Sequence, residues 1–140
     1  MERNEQYGAL VLRLALGTMF LTHGALKIFV FTIPGTVKYF ASLGLPAPLA
    51  YFTIFAELIG GALILLGLHG RWISAALIPL LLGATWAHAG NGWVFSAPNG
   101  GWEYPAFLAV AAFAHALIGD GAYALANLGR AHKLRQEAYA

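Results

Sequence analysis

The segment from Ala50 to Leu68 holds one charged side chain, Glu57, in an otherwise uncharged and strongly apolar run. A run of this kind does not suit a soluble domain, whose surface helices keep a polar face toward water. In a bilayer it makes Glu57 expensive, at about 2.5 to 3.5 kcal/mol even on the lenient insertion scale. The same problem recurs along the chain. Arg13, His23 and Lys27 lie in a first apolar run, His88 ends a third, and Glu103, His115 and Asp120 sit in or beside a fourth. The pattern predicts a membrane protein that buries groups of both signs.

Composition agrees. Hydrophobic residues make up 59% of the chain and charged ones 10%, whereas soluble domains carry roughly 25% charged residues. The 140 residues leave room for one domain and about four spans of roughly 20 residues each. A net charge of +2 with no basic, aromatic-studded stripe gives no footprint for a nucleic-acid partner. The absence of cysteine excludes thiolate catalysis, disulfide exchange, cysteine-ligated clusters and thiolate zinc sites in this chain. Met1 to Gln6 lacks the strongly basic start of a signal peptide, so the first apolar segment is expected to remain as an anchor.

The fold expected is all-α: an integral membrane four-helix bundle in a single domain, residues 1–140, with helices over about 7–31, 49–68, 72–90 and 102–128. Ile33, Pro34 and Gly35 break the first helix, and an amphipathic connector, 37–48, leads to the second. Gly67, His69 and Gly70 close the second, and the third tolerates Pro79 as membrane helices do. Residues 91–101 form a loop rich in Gly, Asn and Pro, with Trp93, Val94 and Phe95 at the interface.

Four spans put both termini and the loop after the second helix on one side. That side carries Arg3, Arg71, Arg130, Lys133 and Arg135, against Lys38 on the other. Basic residues are retained in the cytoplasm, so both termini are expected there, in the inner membrane of a bacterium or archaeon. In this topology His23, Lys27, Glu57, His88 and Glu103 share an outer stratum, while Arg13, His115 and Asp120 form an inner group. At about 100° per residue, Arg13 and Lys27 lie only about 40° apart on one face. Glu57 shares its face with Gly60 and Gly61, and small residues admit close helix contact. Lys27 with Glu57 is the natural ion pair, and Arg13 with Asp120 is expected as a structural pair at the other end.

Two readings of these charges stand open. They are pins that fix helix order, or they are proton-handling groups gathered in one cavity. Haem is the weaker alternative, with His23 and His88 as the depth-matched pair, and zinc is no better supported. No metal is expected. Trp93, Phe95, Trp102 and Tyr104 crowd the outer interface, either as the usual aromatic belt or as a lipid-facing mouth for a quinone head or another flat amphiphile.

Three stretches carry a resemblance: Arg13 to Phe29 (RLALGTMFLTHGALKIF), Leu43 to Trp72 (LGLPAPLAYFTIFAELIGGALILLGLHGRW) and Gly100 to Leu125 (GGWEYPAFLAVAAFAHALIGDGAYAL). Together they resemble the DoxX family of small four-helix membrane proteins over nearly the whole chain. The telling positions are Arg13, Gly17, Gly24 and Lys27, then Glu57 with Gly60 and Gly61, then Gly100 to Glu103. The resemblance implies association with quinone-linked redox complexes or with the assembly of other membrane proteins. With no nucleotide or flavin motif and no cysteine, this chain needs a bound membrane quinone or a partner for redox work.

The expected function is therefore a quinone-interacting or redox-associated subunit, not catalytic alone and with no intrinsic cofactor. Glu57, Glu103 and His23 would exchange protons as the catalytic groups. Lys27, His88, Trp102 and Tyr104 would hold the bound molecule. The alternatives are a non-catalytic assembly or structural partner and, behind it, a small transporter. Expected partners are the lipid bilayer and either further copies of the chain or other membrane subunits.

Overall fold

A computed structural model describes residues 2–128. Its described residues form helices only: α1 (Arg3–Phe29), α2 (Ile33–Ser42), α3 (Ala47–Leu66), α4 (Gly70–His88) and α5 (Glu103–Ile118), with a short 3-10 turn at Ala89–Asn91 after α4. Three of them, α1, α3 and α4 with its extension, are long and apolar enough to cross a membrane, and α5 is a shorter apolar helix.

The helix ends follow from local chemistry. Pro34 does not break a helix but starts one. It occupies the first turn of α2, where no N–H partner is lost, and Thr32 Oγ1 accepts a hydrogen bond from Gly35 N at 3.2 Å. Pro48 does the same for α3, which begins at Ala47 rather than Leu49. At its far end Gly67 adopts the left-handed conformation, φ 65°, and Leu68 N donates to Leu63 O at 3.0 Å, closing the helix.

The fourth long helix differs most from expectation. Instead of running to residue 128 it stops at Ile118, because Gly119 and Gly121 take positive φ values of 90° and 68°. The chain turns back, and Ala122 N donates to Gln6 O while Ala126 N donates to Gly67 O.

α1 and α3 pack along their length, as do α4 and α5, and α3 against α4 joins the two pairs; α1 meets α5 more sparsely. The α1–α3 contact is backbone to backbone. A Cβ on Gly61 would lie 2.7 Å from Leu21 N and 3.0 Å from Gly17 O. The dry centre is Leu16, Phe20, Ile64, Leu77, Leu81, Ala109 and Ala112. The core is apolar but so is much of the surface, and several polar groups are enclosed. Arg13 (2%), Glu57 (5%), Ser74 (0%) and His115 (0%) are buried, while Phe29 (80%), Trp72 (69%), Phe107 (69%) and Phe55 (65%) face outward. Such a surface fits a membrane helical bundle.

The bundle has two distinct ends. The terminal end holds Arg3, Arg71 and the turn after α5, and the aromatic end holds α2 with Lys38 and the loop 92–102. Arg130, Lys133 and Arg135 lie outside the described residues.

Candidate functional site

At the aromatic end, Lys27 from the last turn of α1 meets Glu57 in mid-α3. The ammonium donates to both carboxylate oxygens, at 2.9 Å to Oε1 and 2.7 Å to Oε2. Gly24 lets the helices close to this distance, since a Cβ there would stand 3.3 Å from Glu57 Cβ. The pair is enclosed, with side-chain exposures of 18% and 6%. Neither charge would be stable alone in such a place, and each supplies the other's counter-charge. Thr36 of α2, also buried, has its Oγ1 3.1 Å from Lys27 O and 3.0 Å from Thr32 O, so α2 is fastened beside the pair. Thr53 lies one turn before Glu57 and is likewise buried.

His23 sits one turn before Lys27. Its Nδ1 lies 2.8 Å from Met19 O. A carbonyl only accepts, so Nδ1 carries the hydrogen and the other ring nitrogen of the neutral imidazole is left as a proton acceptor. The ring stacks on Tyr104 of α5, centroids 5.8 Å apart and planes 24° apart, and the Tyr104 hydroxyl donates to Met19 Sδ at 3.3 Å. These contacts bridge the sparse seam between α1 and α5. His88 is arranged separately. Its Nδ1 lies 2.8 Å from Ala84 O, and its ring rests against the loop at Gly100. Among the described residues no group of three or more His, Cys, Asp or Glu is arranged to hold a metal ion.

Glu103 has a different setting from the buried pair. As the first residue of α5 it accepts a hydrogen bond from Phe95 N through Oε1 at 2.8 Å, and its own N donates to Trp93 O at 3.1 Å. Trp102 N donates to Gly92 O, and Asn91 Nδ2 donates to Gly100 O at 2.8 Å. The loop is thereby folded onto α5, with Trp93 and Trp102 edge to face at 4.5 Å. An open groove of about 470 Å³ results, lined by Trp93, Phe95, Trp102, Glu103, Tyr104 and Phe107 among others. The expected single stratum is thus two adjacent parts, an ion pair and an aromatic groove. Tyr104 lies in the groove wall and stacks on His23.

The terminal end corrects an expectation. Arg13 does not pair with the Asp120 carboxylate. Its Nη1 donates to the main-chain carbonyl of Asp120 at 2.9 Å. Because α5 ends at Ile118, Asp120 lies in the turn and sends Oδ2 to Gly70 N, 3.1 Å away at the start of α4. A helix N-terminus offers unpaired N–H groups and a partial positive charge, so the carboxylate is held there. His115 places Nδ1 2.7 Å from Ser74 Oγ and Nε2 3.7 Å from Asp120 Oδ1. Arg71 donates to Ala116 O at 2.7 Å and Leu117 O at 3.1 Å, closing the end of α5.

Sequence reasoning missed Thr36, Ser74 and Met19. Ser74 was findable as a hydroxyl within an apolar helical run, whereas Met19 and Thr36 take part only through helix neighbours that the sequence does not order.

Comparison with known proteins gives a consistent picture. The DoxX family model matches residues 8–90. The match spans α1 to α4 and includes Arg13, Lys27 and Glu57, but stops short of Glu103 and Asp120, so it is narrower than the resemblance over nearly the whole chain. The chain is also similar to "Putative oxidoreductase CatD" of Bacillus subtilis (strain 168), 37% identical over 84 residues, 60% of this chain. That alignment spans 61% of the relative's length. No solved structure matches.

Proposed function

Because this chain belongs to the DoxX family, we propose that it is a multi-pass cell-membrane protein serving as a redox-associated subunit, with a membrane quinone as its small-molecule partner. One observation carries this reading. Tyr104 faces the aromatic groove and stacks on His23, which sits one turn from the Lys27–Glu57 pair. The groove suits a flat head: indole and phenyl faces line it, and Glu103 and Tyr104 add polar groups at its wall.

A bound quinone would supply two-electron chemistry coupled to proton uptake. The chain's own part is to hold the head between Trp93, Trp102 and Phe107 and to manage protons. His23 Nε2 is a proton acceptor behind the groove wall, through its stack on Tyr104. Glu103 keeps Oε1 on Phe95 N, which leaves Oε2 for the groove. Lys27 fixes the charge of Glu57 and so sets the field that His23 feels. Electrons come from a partner subunit, since the described residues contain no redox side chain of their own suited to the task. Both termini are cytoplasmic in this reading, with the groove toward the outside.

Titration of the protein in nanodiscs with a short-chain quinone, read by quenching of the groove tryptophans, tests it. Tyr104→Phe and His23→Gln are expected to weaken binding about tenfold, near 1.4 kcal/mol. Unchanged affinity in both would sink the quinone reading. A second reading, a non-catalytic assembly partner, draws on the way Glu103 and the ion pair spend their hydrogen bonds on the fold itself. It predicts reduced recovery of a membrane complex on Glu57→Gln with quinone titrations unaltered.

A further inference from the structure

We propose that the terminal end of the bundle binds one internal water, held by Arg13 Nε, His115 Nε2 and Asp120 Oδ1. Each of these atoms is buried and has no hydrogen-bond partner among the described residues. Arg13 is 2% and His115 0% exposed, so bulk water does not serve them.

The neighbouring atoms of the same side chains are already engaged. Arg13 Nη1 is on Asp120 O, His115 Nδ1 is on Ser74 Oγ, and Asp120 Oδ2 is on Gly70 N. Each side chain is thereby anchored through its other polar atom. A buried donor or acceptor left unmade is costly, so three together call for a ligand.

The chemistry of the three atoms selects which ligand. Among the described hydrogen bonds, His115 Nδ1 is the partner of the fully buried Ser74 hydroxyl. The hydroxyl satisfies its own hydrogen by donating, so Nδ1 accepts and Nε2 carries the ring hydrogen. Two donors, Arg13 Nε–H and His115 Nε2–H, and one acceptor, Asp120 Oδ1, then remain. Water matches this set: two lone pairs for the donors and one hydrogen for the carboxylate, the roughly three bonds typical of a buried water. An anion would face Asp120 Oδ1, and a cation would face two N–H groups. Arg13 and Asp120 balance in charge, so the site asks for a neutral molecule. The 3.7 Å between His115 Nε2 and Asp120 Oδ1 is too long for a direct hydrogen bond, so the two atoms do not satisfy each other.

Ser74, His115 and Asp120 also have the residue types of a hydrolytic triad. Ser74 has no exposed surface, so no substrate reaches its oxygen and that role does not apply. The water instead ties the turn after α5 to α1 and to α5 itself, and it is independent of the quinone reading at the other end.

The test uses the full chain in nanodiscs with 15N-labelled histidine, the His115 resonance being assigned by its loss in His115→Gln. Cross-relaxation from a long-lived water to the His115 Nε2–H is expected in the wild type and should fall about fivefold or more in Asp120→Leu, which removes the acceptor. The His23 and His88 resonances, from the other end of the bundle, are expected to stay in place in Asp120→Leu, which guards against mere misfolding. A wild type without the cross peak, or a peak indifferent to Asp120→Leu, overturns the proposal. A density map of the wild type in bromide gives a second check: a water within about 3.2 Å of all three atoms supports it, and bromide at the site, or direct closure of Nε2 on Oδ1, overturns it.

Discussion

The two ends of this bundle solve the same problem, a buried guanidinium or ammonium, in opposite ways. At the aromatic end Lys27 spends its charge on one partner, Glu57, through two short bonds between two helices. At the terminal end Arg13 takes a main-chain carbonyl, while the Asp120 carboxylate is shared between Gly70 N and the neighbourhood of His115. The first is a point contact whose members stand or fall together. The second is a clasp spread over α1, α4, α5 and a turn, in which no single charge is another's whole counterpart.

The most severe way to break this contrast is Glu57→Leu. It leaves the Lys27 ammonium enclosed and unpaired and is expected to cost about 3–5 kcal/mol in reversible detergent unfolding. Adding Lys27→Met should recover most of that loss, because an apolar pair of similar volume fits the same place. A double variant as unstable as the single would mean that the pair is not a self-contained unit.

Gly61→Ala should follow, at about 1–3 kcal/mol. The new methyl would meet the backbone at Leu21 N and Gly17 O, neither of which can rotate away. Circular-dichroism melts should show the loss, and a matched Gly8→Ala control, where nothing lies within 4 Å, should not.

Asp120→Asn is expected to cost less, about 1–2 kcal/mol, since the carbonyl that Arg13 uses and an oxygen for Gly70 N both survive. Parallel unfolding curves of Glu57→Gln and Asp120→Asn compare the ends directly. Equal losses would erase the distinction between point contact and clasp.

The smallest effect is predicted for Thr36→Val, about 1 kcal/mol, from the hydroxyl that holds α2 to Lys27 O. Hydrogen exchange of the α2 amides should accelerate while α3 remains unchanged. Acceleration spread evenly over both helices would place Thr36 in the core of the fold rather than at its edge.

The Lys27–Glu57 contact was legible because both residues sit on regular helices, where residue spacing fixes direction, and because glycines mark the faces that meet. The all-helical class was legible for the same reason, since long apolar runs admit little else, but α2 was read as part of a connector and stands as a fifth helix. Asp120 was not legible in this way. Its partners depend on where α5 ends, and two glycines at 119 and 121 override a helical pattern that continues past them. Glu103 escaped because its partner is the Phe95 amide, which no side-chain pattern announces. Pro34 and Pro48 misled in part, since the same residue that ends one helix is well suited to begin the next.

α5 has 16 residues, a rise of about 24 Å at 1.5 Å per residue. The hydrocarbon layer is about 30 Å thick. Of the long helices α3 and α4 match that layer and α1 exceeds it, so a bilayer around this bundle is expected to be pinched beside α5, a local mismatch that lipids answer by thinning. The pinch falls where Trp93, Phe95 and Trp102 fold onto the start of α5.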